Sequence, residues 1–200
     1  MKRSNMLLTI MFSAALAASP AVAQEENTHT QEITVQGTGS FVTNTMKDGV
    51  QQSASNTGGF LASYRFFFNR NSGVEVNYGF ENNTQIYGAG GSLAGVGTRS
   101  HEASAAYVFR FPLKRITPFA LAGTGALVFD PKNFAGANAQ ARAAFVYGAG
   151  ADVNLAKHWF LRGEYRGFVY DSPDYSIAGL NGADRVTHRA EPSLGFGFRY

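Results

Sequence analysis

Four histidines and a scatter of arginines and carboxylates are the side chains in this 200-residue sequence with acid–base, hydrolytic or metal-binding potential. His101 and His188 each have a carboxylate close by, Glu102 and Glu191. A hydrolytic centre needs a histidine held against a serine or carboxylate. Both spacings are odd, and in an alternating strand an odd spacing puts the two side chains on opposite faces. His188 is followed by Arg189-Ala190, so it heads no His-x-Ser pair. His29 and His158 sit near a terminus and a turn and form no metal-ligand set, and cysteine is absent. The stretches "GAGGSLAGVG" and "GAGAD" lack the strand-to-helix setting of a phosphate loop. The residues therefore predict no enzyme, no cofactor and no metal.

A second group of charges is more orderly. Arg65, Glu75, Glu102, Arg110, Arg142, Arg162, Glu164, Arg166, Arg189 and Glu191 all fall on the polar phase of segments that alternate between apolar and polar residues. Brought together in an enclosed space, they would have to pair, because an unpaired buried charge is costly. That predicts a structural ion network. The sharper alternative is a narrow ion path, with Arg162-Glu164-Arg166 beside Arg189 and Glu191 as its coupling residues.

The elements that must position these charges are eight segments with a two-residue beat, at residues 32–43, 58–68, 73–81, 99–111, 117–129, 141–155, 159–170 and 187–200. In the third, Val74, Val76, Tyr78 and Phe80 oppose Glu75, Asn77, Gly79 and Glu81. In the fifth, Phe119, Leu121, Leu127 and Phe129 form the apolar side and small residues the other. Period two means strands with one apolar and one polar face. Leu61, Phe67, Val108, Val128, Val146 and Phe168 sit on the polar side, which is thus not wholly hydrophilic. Tight connections at 69–72, 112–116 and 156–158 alternate with four longer ones at 44–57, 82–98, 130–140 and 171–186, rich in Gly, Asn, Ser and Asp. Such alternation predicts an up-and-down meander closing into an antiparallel barrel.

Two polarities fit such a barrel: a soluble lipocalin-like calyx with the apolar face inside, or a membrane barrel with that face against lipid. Aromatic residues favour the second. Phe66, Phe68, Phe109, Phe111, Phe119 and Trp159, with Phe198 and Tyr200, gather near the tight turns as an interfacial girdle would. Phe41, Phe60, Phe80, Phe129 and Phe145 gather toward the long connections. Strands of about ten tilted residues cross a bilayer core. The chain opens with Lys2-Arg3, an apolar run and Ala21-Val22-Ala23, so residues 1–23 are expected to be a cleaved signal peptide and 24–200 the barrel domain. Without Lys2 and Arg3 the basic residues fall from 17 to 15 against 14 acidic, a near-neutral balance that makes no case for nucleic acid.

The closing alternation Leu194, Phe196, Phe198, Tyr200 resembles the C-terminal signature of bacterial outer-membrane proteins. "PFALAGTGALVFDP" and "YGAGADVNL" are similar to the later strands of the OmpA/OmpX-like eight-stranded barrel family. The resemblance implies an all-β, eight-stranded transmembrane barrel in the outer membrane of a Gram-negative bacterium, among lipid and lipopolysaccharide. It also implies reading of the C-terminal segment by the barrel-assembly machinery. No peptidoglycan-binding domain follows the barrel here, so no cell-wall tether is expected. The expected role is envelope integrity or surface contact, with a ligand met through the four long loops. A lipid A-modifying enzyme is the less favoured reading.

Overall fold

A computed structural model describes residues 30–43, 45–47, 50–89, 92–132, 139–171 and 186–200. Residues 1–23, the expected signal peptide, lie outside the described residues. Ten strands follow one another: β1 (Thr30–Val42), β2 (Thr45–Lys47), β3 (Val50–Ala54), β4 (Thr57–Phe67), β5 (Ser72–Ala89), β6 (Ser92–Arg110), β7 (Ile116–Pro131), β8 (Gln140–Asn154), β9 (Trp159–Asp171) and β10 (Val186–Arg199). Eight of them form the barrel, and β2 and β3 add a small hairpin beside β5. Neighbours pair antiparallel throughout, and β1 pairs with β10 from Glu32↔Arg199 to Val42↔Arg189, which closes the cylinder. Closure leaves no free edge within the barrel, the condition for strands to stand in a membrane.

Tight turns explain the phase of several strands. Between β4 and β5, the Asn69 carboxamide oxygen accepts from the N–H groups of Asn71 and Ser72 at 2.9 and 2.7 Å. That asparagine turn holds Phe66 opposite Val74 and Arg65 opposite Glu75, so both strands keep their charges on one side. The outer wall is apolar: Ile33, Val35, Val74, Val76, Tyr78, Tyr107, Leu194 and Phe196 are all exposed. The inner wall buries Glu32, Glu75, Arg65, Arg162, Arg166 and Arg189. The described residues therefore form an inverted barrel, apolar outside and charged within.

Two expectations need correction. The 82–98 stretch is not a loop, since β5 and β6 stay paired from Ser72↔Phe109 up to Ala89↔Ser92 and form one long hairpin. The 44–57 stretch likewise contains β2 and β3. Pairing supplies what glycine- and asparagine-rich sequence lacks in strand propensity, because that propensity depends on neighbours more than on the residue itself.

β7 also faces opposite to its sequence pattern. Phe119, Leu121, Leu127 and Phe129 are buried inside, at 5 % exposure or less, while Ala120, Ala122 and Thr124 lie outside. Register imposes this phase, since Phe119 pairs with inward Arg110 and Thr117 with inward Asp152. Both faces of β7 tolerate lipid, so the interior decides. An eight-stranded lumen must be filled by side chains, and β7 fills it with its large residues. Phe119 therefore does not belong to the aromatic girdle, and Phe129 does not belong to the upper cluster. Phe129 instead stacks on Tyr170 inside, at 5.8 Å between centroids. Val128, assigned to the polar face, turns outward with the small residues.

Candidate functional site

Inside the barrel the charges meet in a continuous column. Nearest the tight turns, Arg110 and Arg162 each donate to one Glu32 oxygen at 2.9 Å, and Arg199 donates to the first of these at 2.8 Å. Arg162 also grips Asp152 through two hydrogen bonds of 2.6 and 2.7 Å. At mid-height Arg65 donates to Glu75 and lies 3.5 Å from Glu164. Glu164 lies 3.8 Å from Arg166 and so links the lower half to the upper.

The upper half is a ring. Arg166 donates to Glu102 at 2.7 Å and to Glu191. Arg189 donates to the same two carboxylates at 2.5 and 2.8 Å and reaches Glu81 at 3.1 Å. Among the described residues the column joins Arg65, Arg110, Arg162, Arg166, Arg189 and Arg199 to Glu32, Glu75, Glu81, Glu102, Asp152, Glu164 and Glu191. Every barrel strand except β7 contributes a charge. Most of these groups are fully buried, so each pair acts in a low dielectric, where charge-assisted hydrogen bonds are strong and a lost partner is expensive.

Aromatic rings complete the packing. Arg110 stacks over Phe67 at 3.5 Å, Arg65 over Phe119 at 3.9 Å, Arg189 over Phe168 at 4.4 Å and Arg199 over Phe160 at 4.9 Å. Arg162 sits between Phe119 and Phe160, and Arg166 lies 5.2 Å from Phe168. Each guanidinium thus has a ring face as well as carboxylates, a favourable arrangement for a desolvated cation. Inward glycines make room for three of these rings. A Cβ at Gly150 would lie 2.6 Å from Phe119, one at Gly73 2.7 Å from Phe67, and one at Gly197 would overlap Phe160. Beside the upper ring a cavity of about 10 Å³, room for a single water, opens between Arg189, Glu191, Glu102 and Ser100.

Of the ten charges read from the sequence, nine stand in this column, and Arg142 does not. It is half-buried at the start of β8, where it donates to Gln140 at 3.1 Å and meets no carboxylate among the described residues. Glu32, Glu81, Asp152 and Arg199 were on the polar phase but outside the expected set. Of the four stacking phenylalanines, Phe67 and Phe168 were read on the polar side without a role, Phe119 was assigned to the girdle, and Phe160 was missed. Inward parity alone would have found the four charges.

The remaining predicted residues lie on the outer wall. Phe68, Phe109, Phe111 and Trp159 are exposed near the tight turns, and Phe66 is half-buried beside them. Phe109 packs edge-on against Phe111 at 4.8 Å, and Trp159 against Phe198 at 5.1 Å. Leu194, Phe196 and Tyr200 are exposed along the same face of the last strand. His101 and His188 are on this outer wall too, each bonded to a tyrosine, Tyr78 at 2.9 Å and Tyr147 at 2.8 Å. Their neighbouring carboxylates, Glu102 and Glu191, are inside the column.

Comparison with known proteins fits this geometry. OprG from Pseudomonas aeruginosa superposes with a TM-score of 0.65 at 13% identity, covering 90% of this chain and 99% of its own. Neisserial surface protein A gives 0.62 at 9% identity, covering 88% and 100%. Ail, the attachment invasion locus protein of Yersinia pestis, gives 0.54 at 18% identity, covering 87% and 100%. At these identities the likeness is one of fold. A search of curated proteins by sequence finds no match. The family model for the outer membrane protein beta-barrel domain matches residues 8–199, and the chain belongs to that family of the bacterial outer membrane.

Proposed function

We propose that this protein is a closed, non-conducting barrel that holds surface elements on the outer membrane, serving envelope integrity and contact outside the cell rather than solute flow. The observation that carries the reading is the unbroken run of ion pairs from Arg110 to Glu81, with phenylalanine rings filling the space between. A solute crossing the lumen would have to separate buried pairs, each costing several kcal/mol to break. The tight turns face the periplasm in this reading, and the long β5–β6 hairpin and its companion connections face outward. No hydrolytic role is assigned to His101 or His188, because both are engaged by tyrosines on the lipid-facing wall.

The outward elements carry the contact function, since loops on a rigid scaffold are where specificity is built. One solved structure of Ail is a complex with the heparin analogue sucrose octasulfate. A polyanion of that kind suits this chain poorly. Its four long connections carry Lys47, Lys132 and Arg185 against Asp48, Asp130, Asp171, Asp174 and Asp184. The contact partner is therefore read as neutral or mildly basic.

Planar-bilayer recording of the refolded protein tests the closed lumen. Stable insertion without stepwise current is the expected result. Uniform steps whose size changes in Arg166→Lys or Glu164→Gln would establish the narrow ion path instead.

A further inference from the structure

The three tight turns share a feature that neither the column nor the outward elements use. Arg70 stands in the β4–β5 turn, Lys114 and Arg115 in the β6–β7 turn, and Lys157 in the β8–β9 turn, all exposed. No acidic residue occurs in any of the three turns. Among the described residues none of the four side chains forms an ion pair. In barrel order the turns follow one another around one rim, and the last position is taken by Arg199 at the end of β10.

The same turns carry exposed apolar side chains. Leu113 is 63% exposed next to Lys114, and Leu155 is 58% exposed two residues before Lys157. Phe111, Ile116 and Trp159 continue this apolar edge into the girdle. A surface made for a soluble acidic partner would not leave leucines at its tips, because each would stand in water when the partner is absent. Leucine and lysine together suit a headgroup region, where the apolar stem enters the acyl boundary and the cation meets phosphate.

The turns are also braced. Arg110 donates to the Arg70 carbonyl at 2.9 Å, the Asn154 N–H to the Arg115 carbonyl at 2.9 Å, and the Arg199 N–H to the His158 carbonyl at 2.8 Å. Each turn is tied to the strand that follows it around the barrel, so the cations are presented on a fixed frame at little ordering cost.

We infer that this rim is a collar that selects anionic phospholipid headgroups, with Arg70, Lys114, Arg115 and Lys157 as the phosphate-binding cations. It rests on the orientation proposed above, which sets the collar in the inner leaflet of the outer membrane. The four long connections at the opposite end carry more acidic than basic residues in sequence.

The test uses the folded chain in nanodiscs of equal dimyristoylphosphatidylcholine and dimyristoylphosphatidylglycerol, with native mass spectrometry of the lipids it retains after transfer to detergent. Glu25 and Glu26, which precede β1 and lie outside the described residues, are left in place. Phosphatidylglycerol should exceed phosphatidylcholine by about fivefold or more, roughly what one cation near an anionic surface supplies, and the excess should shrink in high salt. The combined variant Arg70→Gln, Lys114→Gln, Arg115→Gln, Lys157→Gln should retain the two lipids equally. The charge-keeping variant Arg70→Lys, Arg115→Lys should behave as wild type. Equal retention by the wild type, or a preference that survives in the glutamine variant, overturns the collar. So does binding of soluble poly-glutamate to the wild type in pure phosphatidylcholine without any lipid preference, which would assign the rim to an aqueous acidic partner. Orientation is read separately from Ala156→Cys in the β8–β9 turn, a unique thiol in a chain without cysteine. Labelling by an impermeant maleimide is expected only after the outer membrane is breached. Labelling on intact cells would reverse the orientation and remove the inner-leaflet placement, whatever the lipid preference.

Discussion

Arg166 hydrogen-bonds two carboxylates at once, and its value depends on both. With Glu102 and Glu191 it forms two sides of the upper ring, and Arg189 closes the other two. Exposed ion pairs contribute less than about 1 kcal/mol, whereas removing one partner of a buried pair costs about 3–5 kcal/mol. Arg166 is wholly buried, so the larger figure applies. Arg166→Met keeps the stem and ring contact but leaves two carboxylates to share Arg189. It should lower unfolding stability in lipid vesicles by about 3–5 kcal/mol in a urea titration. Adding Glu191→Gln removes one orphaned charge and should recover about half of that loss, since Glu102 keeps its bond to Arg189. No recovery in the double variant would mean that the ring is not a coupled unit.

At the scale of the strand, β7 is the informative element. It lends no charge to the column, yet Phe119 supports both Arg65 and Arg162, and Leu121 and Leu127 fill the lumen beside them. Leu121→Ala should therefore open an interior cavity at a cost of about 2–5 kcal/mol. Ala122→Leu, which adds bulk on the lipid side, should stay within about 0.5 kcal/mol of wild type. Paired urea titrations measure both, and the opposite ranking would mean that β7 faces as its pattern suggests. That pattern misleads because Ala120, Ala122 and Val128 are themselves apolar, so alternation carries no sign there. In β5 the sign is plain, since Glu75 and Asn77 can face only inward. The charges of the column were legible by the same parity. Their partners were not, because Glu32 meets Arg162 across 130 residues and Arg199 across 167. Which charges meet across a lumen depends on the tilt and stagger of closed strands, and periodicity does not encode those quantities. The β5–β6 hairpin was hidden for a related reason: pairing sustained a glycine-rich stretch whose own residues read as loop.

For the whole molecule, closure and column act on the same strands. The chain has no cysteine, so no disulfide holds any part of the barrel together when another part opens. β1 and β10, first and last in sequence, join at the seam, and Glu32 on β1 binds arginines from β6, β9 and β10. Opening the seam would therefore pull Glu32 away from three strands at once, and freeing Arg162 would expose Asp152 and Glu75 as well. No barrel strand other than β7 can leave without orphaning buried charges, and β7 is paired on both sides to β6 and β8, so intermediates within the barrel are disfavoured and its unfolding should be two-state. Trp159, the single tryptophan, stands on the outer wall at the tight-turn rim, packed on Phe198 beside the seam. Its fluorescence reports that corner alone, while far-UV circular dichroism reports every strand. The two signals should fall together in urea, with the same midpoint and slope. A Trp159 transition completed before the strand signal falls would show that the seam opens independently, and that the column does not bind the barrel into one unit.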